Sequence, residues 1–104
     1  ELLFLLSGTS DRAYTQADYA RALRLLQSAV LAAEIIGDKN EQANAWHNMG
    51  IIHFVQNRPE PALEAYRNSL RIEEELGRKP EIARSLNSMA LVLLAQTRFA
   101  EAVE

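Results

Sequence analysis

The chain has 104 residues, 48% of them hydrophobic, which is one domain's length with enough apolar content for a packed core. Eleven Lys and Arg against 14 Asp and Glu leave a net charge of −3. That balance lacks the basic excess needed for phosphate-backbone binding, so nucleic acid is not an expected partner. Cysteine is absent, which excludes disulfides, thiolate zinc sites and a cysteine nucleophile. No apolar run approaches the roughly 20 residues of a membrane-spanning helix, so no membrane association is expected and the location is expected to be cytoplasmic. With only four Gly and three Pro, few turns are available, and the prevalence of Ala, Leu, Glu, Arg and Gln predicts an all-α fold of a few long helices.

Along the chain, Leu3, Leu6 and Tyr14 are spaced as the apolar positions of a first helix. The run Ser7-Gly8-Thr9-Ser10-Asp11 consists of poor helix formers and caps, so a broken or displaced helix is expected there. Asp18 can N-cap a second helix from Tyr19 to Ile36, closed by Gly37. Its apolar residues Leu23, Leu25, Leu26, Val30, Leu31, Ile35 and Ile36 occupy more than one face, so more than one neighbour must cover it. From about Glu41 to Val55, Ala43, Trp46, Met49, Gly50 and His53 share helical spacing. Asn57-Arg58-Pro59 ends that helix and starts the next, since the residues before proline leave the α region and proline suits the first helical position. This fourth helix runs to Leu76, with Gly77 as a left-handed cap. A fifth begins near Glu81. By analogy with Asn57-Arg58-Pro59, the chain then reaches Glu104 only a few residues into a further helix.

Shifting the sequence by forty positions aligns these elements on one another. Glu41, Ala43, Met49, Gln56, Arg58, Ala62 and Glu64 fall on Glu81, Ala83, Met89, Gln96, Arg98, Ala102 and Glu104. The same shift places Gln16 on Gln56, Ala22-Leu23 on Ala62-Leu63, Gly37 on Gly77 and Lys39 on Lys79. A fixed period of this length marks a repeat architecture. The expected partition is a degenerate first repeat over 1–40 with its second helix about 18–36, a complete repeat over 41–80, and a truncated repeat over 81–104. Each repeat is a helical hairpin.

Trp46, Met49, Gly50, His53, Ala62 and Tyr66 together resemble the tetratricopeptide repeat (TPR), whose pattern is W-x2-L-G-x2-Y followed by A-x3-F, with Met in place of Leu and His in place of Tyr. Leu86, Met89, Ala90, Leu93 and Ala102 resemble it more loosely, and Ala22, Leu26 and Ala29 match its second half. The period is longer than the usual one of about 34. In this it is similar to the repeats of kinesin light chain, of adaptors with Leu-Gly-Asn motifs and of bacterial transcription regulators. The resemblance implies an α-solenoid of antiparallel helix hairpins that binds a peptide or helix of another protein in a concave groove. It also implies no cofactor and no catalysis, and a place within a larger regulatory or scaffold protein. Carried onto these positions, the groove would be lined by Asn44, His47, Asn48, Ile51, Phe54 and Val55 from one helix. Arg84, Asn87, Ser88, Leu91, Leu94 and Ala95 would line it from the other. Asn44, His47, Asn48, Ile51, Phe54, Arg84, Asn87 and Leu91 are the candidate contacts, the polar ones as donors and acceptors and the others as apolar area. Only the Asn48 position resembles the carboxylate clamp of chaperone-binding repeats. Asn87 and Ser88 stand where a basic residue would help, so chaperone-tail binding is not expected.

His47 and His53 are six residues apart on different faces of one helix, with no His, Asp or Glu at i±3 or i±4, so a metal site is not expected. Spacing positions no carboxylate pair for acid-base work and no base beside a serine. Trp46 falls on a core slot. The acidic run Glu73-Glu74-Glu75, with Arg71 four residues before its end and Arg78 and Lys79 after it, reads as a solvated face. Hairpins of this kind bury their apolar faces only by stacking. Neither end of the array carries a polar cap, so homo-oligomerisation, or a purely structural spacer role, is the alternative expectation.

Overall fold

A computed structural model describes the backbone of residues 15–103 and the side chains of residues 15–98. Four helices follow one another, α1 (Gln16–Ile36), α2 (Lys39–Val55), α3 (Pro59–Leu76) and α4 (Lys79–Val103). Each packs against the next in the chain, and connections of two or three residues reverse the direction at every step. The result is an all-α stack, elongated to 46 × 28 × 21 Å. The expected first helix with Leu3, Leu6 and Tyr14, its interruption at residues 7–11 and the apolar run Leu2 to Leu6 lie outside the described residues.

The helix boundaries follow from local chemistry. α1 begins earlier than expected. Its N-cap is Thr15, whose hydroxyl accepts from the Asp18 backbone N–H while the Asp18 carboxylate accepts from the Thr15 N–H. Asp18 is therefore the third helical residue of a reciprocal capping box, not the cap itself. Asp38 caps α2 by accepting from the Glu41 N–H at 3.0 Å. Pro59 opens α3, where the missing N–H has no cost. Gly37 and Gly77 adopt φ of 76° and 69°. In that left-handed conformation the Asp38 and Arg78 N–H groups reach the Ala33 and Glu73 carbonyls, which closes α1 and α3.

α4 differs from expectation at its far end. The turn after α2 has a left-handed Asn57, φ 62°, two residues before Pro59. Forty residues on stand Thr97 and Phe99, which enforce neither feature, and α4 continues unbroken to Val103. No new helix starts near residue 99.

Two clusters make the core. Val30, Ala45, Met49 and Ala65 join α1, α2 and α3, with Leu23, Leu26, Ala29 and Trp46 packed against them. Ala62, Leu63, Tyr66 and Val92 join α3 to α4, with Ile51 and Met89 alongside. Trp46 is thus a packing residue, as its sequence position indicated. α2 and α3 approach closely at Gly50. A Cβ on Gly50 would lie 2.5 Å from Tyr66 Cε1, so only glycine lets the ring settle there. Beside it, the Ser69 hydroxyl donates to the Ala43 carbonyl at 3.0 Å. Between stacked layers, Gln56 Nε2 donates to Gln16 Oε1 at 2.7 Å, joining residues forty apart.

The acidic run is not a uniform solvated face. Glu73 is completely buried, and Arg78 from the α3–α4 connection reaches it, Nε to Oε1 at 3.4 Å. The same guanidinium pairs with Glu81 at 2.8 Å and donates to Asn40 Oδ1. One side chain thereby ties α2, α3 and α4 together. Glu74 and Glu75 are exposed, and Glu75 pairs with Lys39 at 3.5 Å. Arg71 bonds Asn68 instead of Glu75.

Candidate functional site

Tyr66 lies at the centre of the region between α2 and α4. Its ring meets the His47 ring at 5.1 Å between centroids and an angle of 50°, and Ser88 of α4 lies near its hydroxyl. Burial raises the Tyr66 pKa, against the opposing effect of Ser88. Burial, and after it the nearby Arg84 charge, holds His47 down to about 4, so its ring is neutral near pH 7. Arg84 stands exposed on the α4 side. Thus α2 and α4 flank α3 and bring His47 and Ser88 to one tyrosine, with Arg84 near His47.

Farther along, Phe54 and the turn residues Asn57, Arg58 and Pro59 face Val92, Ala95 and Gln96 across a cleft of about 300 Å³. A second, smaller cleft of about 210 Å³ lies between α2 and α3, lined by Trp46, Met49, His53, Pro61 and Ala65 with Gln27 and Glu64. Burial, then the Arg58 charge, lowers the His53 pKa. Among the described residues no three His, Asp or Glu side chains gather as a metal site would require, and no helix is long and apolar enough to cross a membrane.

Short connections, a left-handed glycine closing α1 and α3, and a small residue where α2 meets an aromatic of α3 define a hairpin-repeat geometry. The family model for the tetratricopeptide repeat matches residues 11–75 and again residues 41–104. The chain belongs to the tetratricopeptide repeat family. Comparison with curated proteins and with solved structures gives no significant match.

The TPR stack distributes the sequence-selected residues unevenly. Asn44, Asn48 and Ile51 on α2 are half-buried, and Ile51 packs toward the α3–α4 cluster. Arg84, Asn87 and Leu91 on α4 are exposed. No hydrogen bond or ion pair engages the side chains of Asn44, Asn48 or Asn87 among the described residues. Phe54 is partly open and lines the larger cleft. His47 is 6% exposed and points its ring at Tyr66, so it sits beneath the surface that the others form. Tyr66 itself escaped selection as a site residue, although its position in the TPR pattern was visible. Its closeness to Ser88 arises only when α4 packs on α3. Glu73 and Arg78 had no sequence signal beyond a charge run.

Proposed function

We propose that this TPR stack is a protein-interaction module whose ligand, an extended peptide or a helix of another protein, lies across α2 and α4 over Tyr66. One observation carries the reading. Asn44, Asn48, Arg84 and Asn87 stand on the two helices flanking Tyr66, with exposed Leu91 and Phe54 beside them. Amide and guanidinium groups can bond a ligand's backbone or carboxylates, and the apolar side chains supply area. The repeats over 41–80 and 81–104 would each contribute one wall. No catalytic step is assigned to the module, and it would act as part of a larger cytoplasmic regulatory or scaffold protein.

The test is the combined substitution Asn48→Ala, Arg84→Ala and Asn87→Ala, with partner affinity read by calorimetry. A loss of about tenfold or more, roughly 1.4 kcal/mol, supports the groove. An unchanged affinity removes it.

A second reading is self-association through the ends of the stack. It is favoured by apolar side chains that no described residue covers, Leu25, Leu31, Ile35 and Ile36 on α1 and Leu86, Leu91, Leu93 and Leu94 on α4, since such patches are seldom left to water.

A further inference from the structure

On α2, Glu41, Asn44 and Asn48 recur at helical spacing along one side. Asn44 and Asn48 are half-buried, and neither amide has a hydrogen bond among the described residues. They stand one turn apart, about 6 Å along the axis at about 1.5 Å per residue. Across from them, Arg84 of α4 is exposed and lies near enough to His47 that its charge, after burial, helps to keep that ring neutral. Arg84 has no ion pair among the described residues, and Glu81, the carboxylate one turn before it on α4, is bound by Arg78 at 2.8 Å. Each of these three side chains therefore ends in hydrogen-bonding capacity that the fold does not use, and one of them in a charge that no carboxylate meets.

A helical ligand offers the two amides little, because its backbone N–H and C=O groups bond one another along its axis. An extended segment leaves those groups open. It brings the N–H and C=O of every second residue to the same edge, at intervals of about 6.6 Å, close to the separation of Asn44 and Asn48. A carboxamide carries both a donor and an acceptor, so each asparagine can meet the N–H and the C=O of one such residue. The charges narrow the sequence of the segment. The Arg84 guanidinium presents a planar fork of donors suited to a carboxylate. Glu41, on the same side of α2 and one turn before Asn44, repels a second acid there, so a uniformly acidic tail fits worse than a single acid opposite Arg84.

We propose that the ligand of this surface is an extended segment of another protein, held through its backbone at every second residue by Asn44 and Asn48, and carrying one acidic side chain that pairs with Arg84. The proposal rests on the groove reading and goes further by choosing an extended segment over a helix and by placing its charge. α2 reads the backbone of the segment and α4 reads its sequence.

Short random peptides displayed on phage and selected on the full chain supply the probes. The enriched peptides are synthesised and their affinities read by fluorescence anisotropy, with circular dichroism verifying the fold of each protein variant. These peptides should share one Asp or Glu. Arg84→Glu should weaken them by about tenfold or more, since like charges then face each other, and Lys in place of the peptide's acid should restore binding to that variant. Should Arg84→Glu lose its helicity, Arg84→Gln replaces it, weakening the acid-bearing peptides and leaving versions with Gln in place of the acid unchanged. N-methylation of one alternating set of peptide amides should cost about fivefold, the worth of a typical hydrogen bond, and the other set little. In the double variant Asn44→Ala, Asn48→Ala that difference between the sets should vanish. A selection that yields no peptide, or peptides indifferent to changes at Asn48, Arg84, Asn87 and Leu91, overturns the groove reading and this proposal with it. Peptides that lose affinity on Asn87→Ala or Leu91→Ala, yet share no acid, ignore the charge exchange or become helical on binding, overturn this proposal and leave the groove standing.

Discussion

Gly50 and Tyr66 meet so closely that there is no room for a Cβ between them. Gly50→Ala forces a Cβ into a ring already held by Ala62, Leu63 and Val92, and should destabilise the chain by about 1–3 kcal/mol. Tyr66→Leu in the same chain should recover part of that loss, because it removes the ring atoms that the new Cβ meets. Urea midpoints of the two variants and the wild type measure both effects. His47 gives a pH signature. Its pKa near 4 lies below the unfolded value of about 6.5, so between these pH values the unfolded chain holds a proton that the folded chain refuses. The stability from neutral His47 is complete above about pH 6.5 and is lost as pH falls toward 4, by at most about 3 kcal/mol at about 1.4 kcal/mol per unit. His47→Gln should flatten the fall in urea midpoint between about pH 7 and about pH 4.5, and an undiminished fall would assign it to His53, whose pKa is also lowered, or to carboxylates. Of the positions proposed for the groove, Arg84, Asn87 and Leu91 are exposed, as open to a ligand as the repeat register alone would have them. The burial of His47 was not legible there, because it depends on the ring of Tyr66, which arrives from another helix.

Helix ends divide in the same manner. Gly37, Gly77 and Pro59 were readable because backbone conformation at those positions is set by the residue itself. Thr15 was hidden because Asp18 is an equally good capping residue, and only the paired hydrogen bonds decide between them. The run-on of α4 past residue 97 was hidden because a repeat register transfers positions and does not transfer the left-handed Asn57 and the Pro59 that make the turn. Arg78 is the residue that holds three helices together from a connection. Its pairing with Glu81 keeps the Glu81 carboxyl below its ordinary pKa. Arg78→Ala strands Glu73 inside the protein. Breaking a fully buried pair costs about 3–5 kcal/mol, but Arg78 keeps part of its side chain in water, so a loss of about 1–3 kcal/mol is expected. Adding Glu73→Gln should return part of the lost melting temperature, since an amide is cheaper to bury than a lone carboxylate. No recovery would mean that Arg78 acts mainly through Asn40 and Glu81.

At the level of the complete stack, the fold was legible in outline because small and large side chains recur every forty positions and each such unit can bury its apolar face only against the next. The charge run at Glu73 misled for the same reason that His47 did, since membership of a core is settled by neighbours distant in sequence. The surface proposed for a partner is the row of side chains that α2 and α4 hold on either side of Tyr66, and the proposal can be tested without knowing the partner beforehand. A photoreactive amino acid placed in turn at Asn48, Asn87 and Leu91, and at Glu64 and Arg67 on the exposed side of α3, would report which face is touched in the native complex. Adducts to one and the same protein from the α2 and α4 positions, with none from Glu64 or Arg67, are the predicted result. Adducts confined to Glu64 and Arg67 would contradict it.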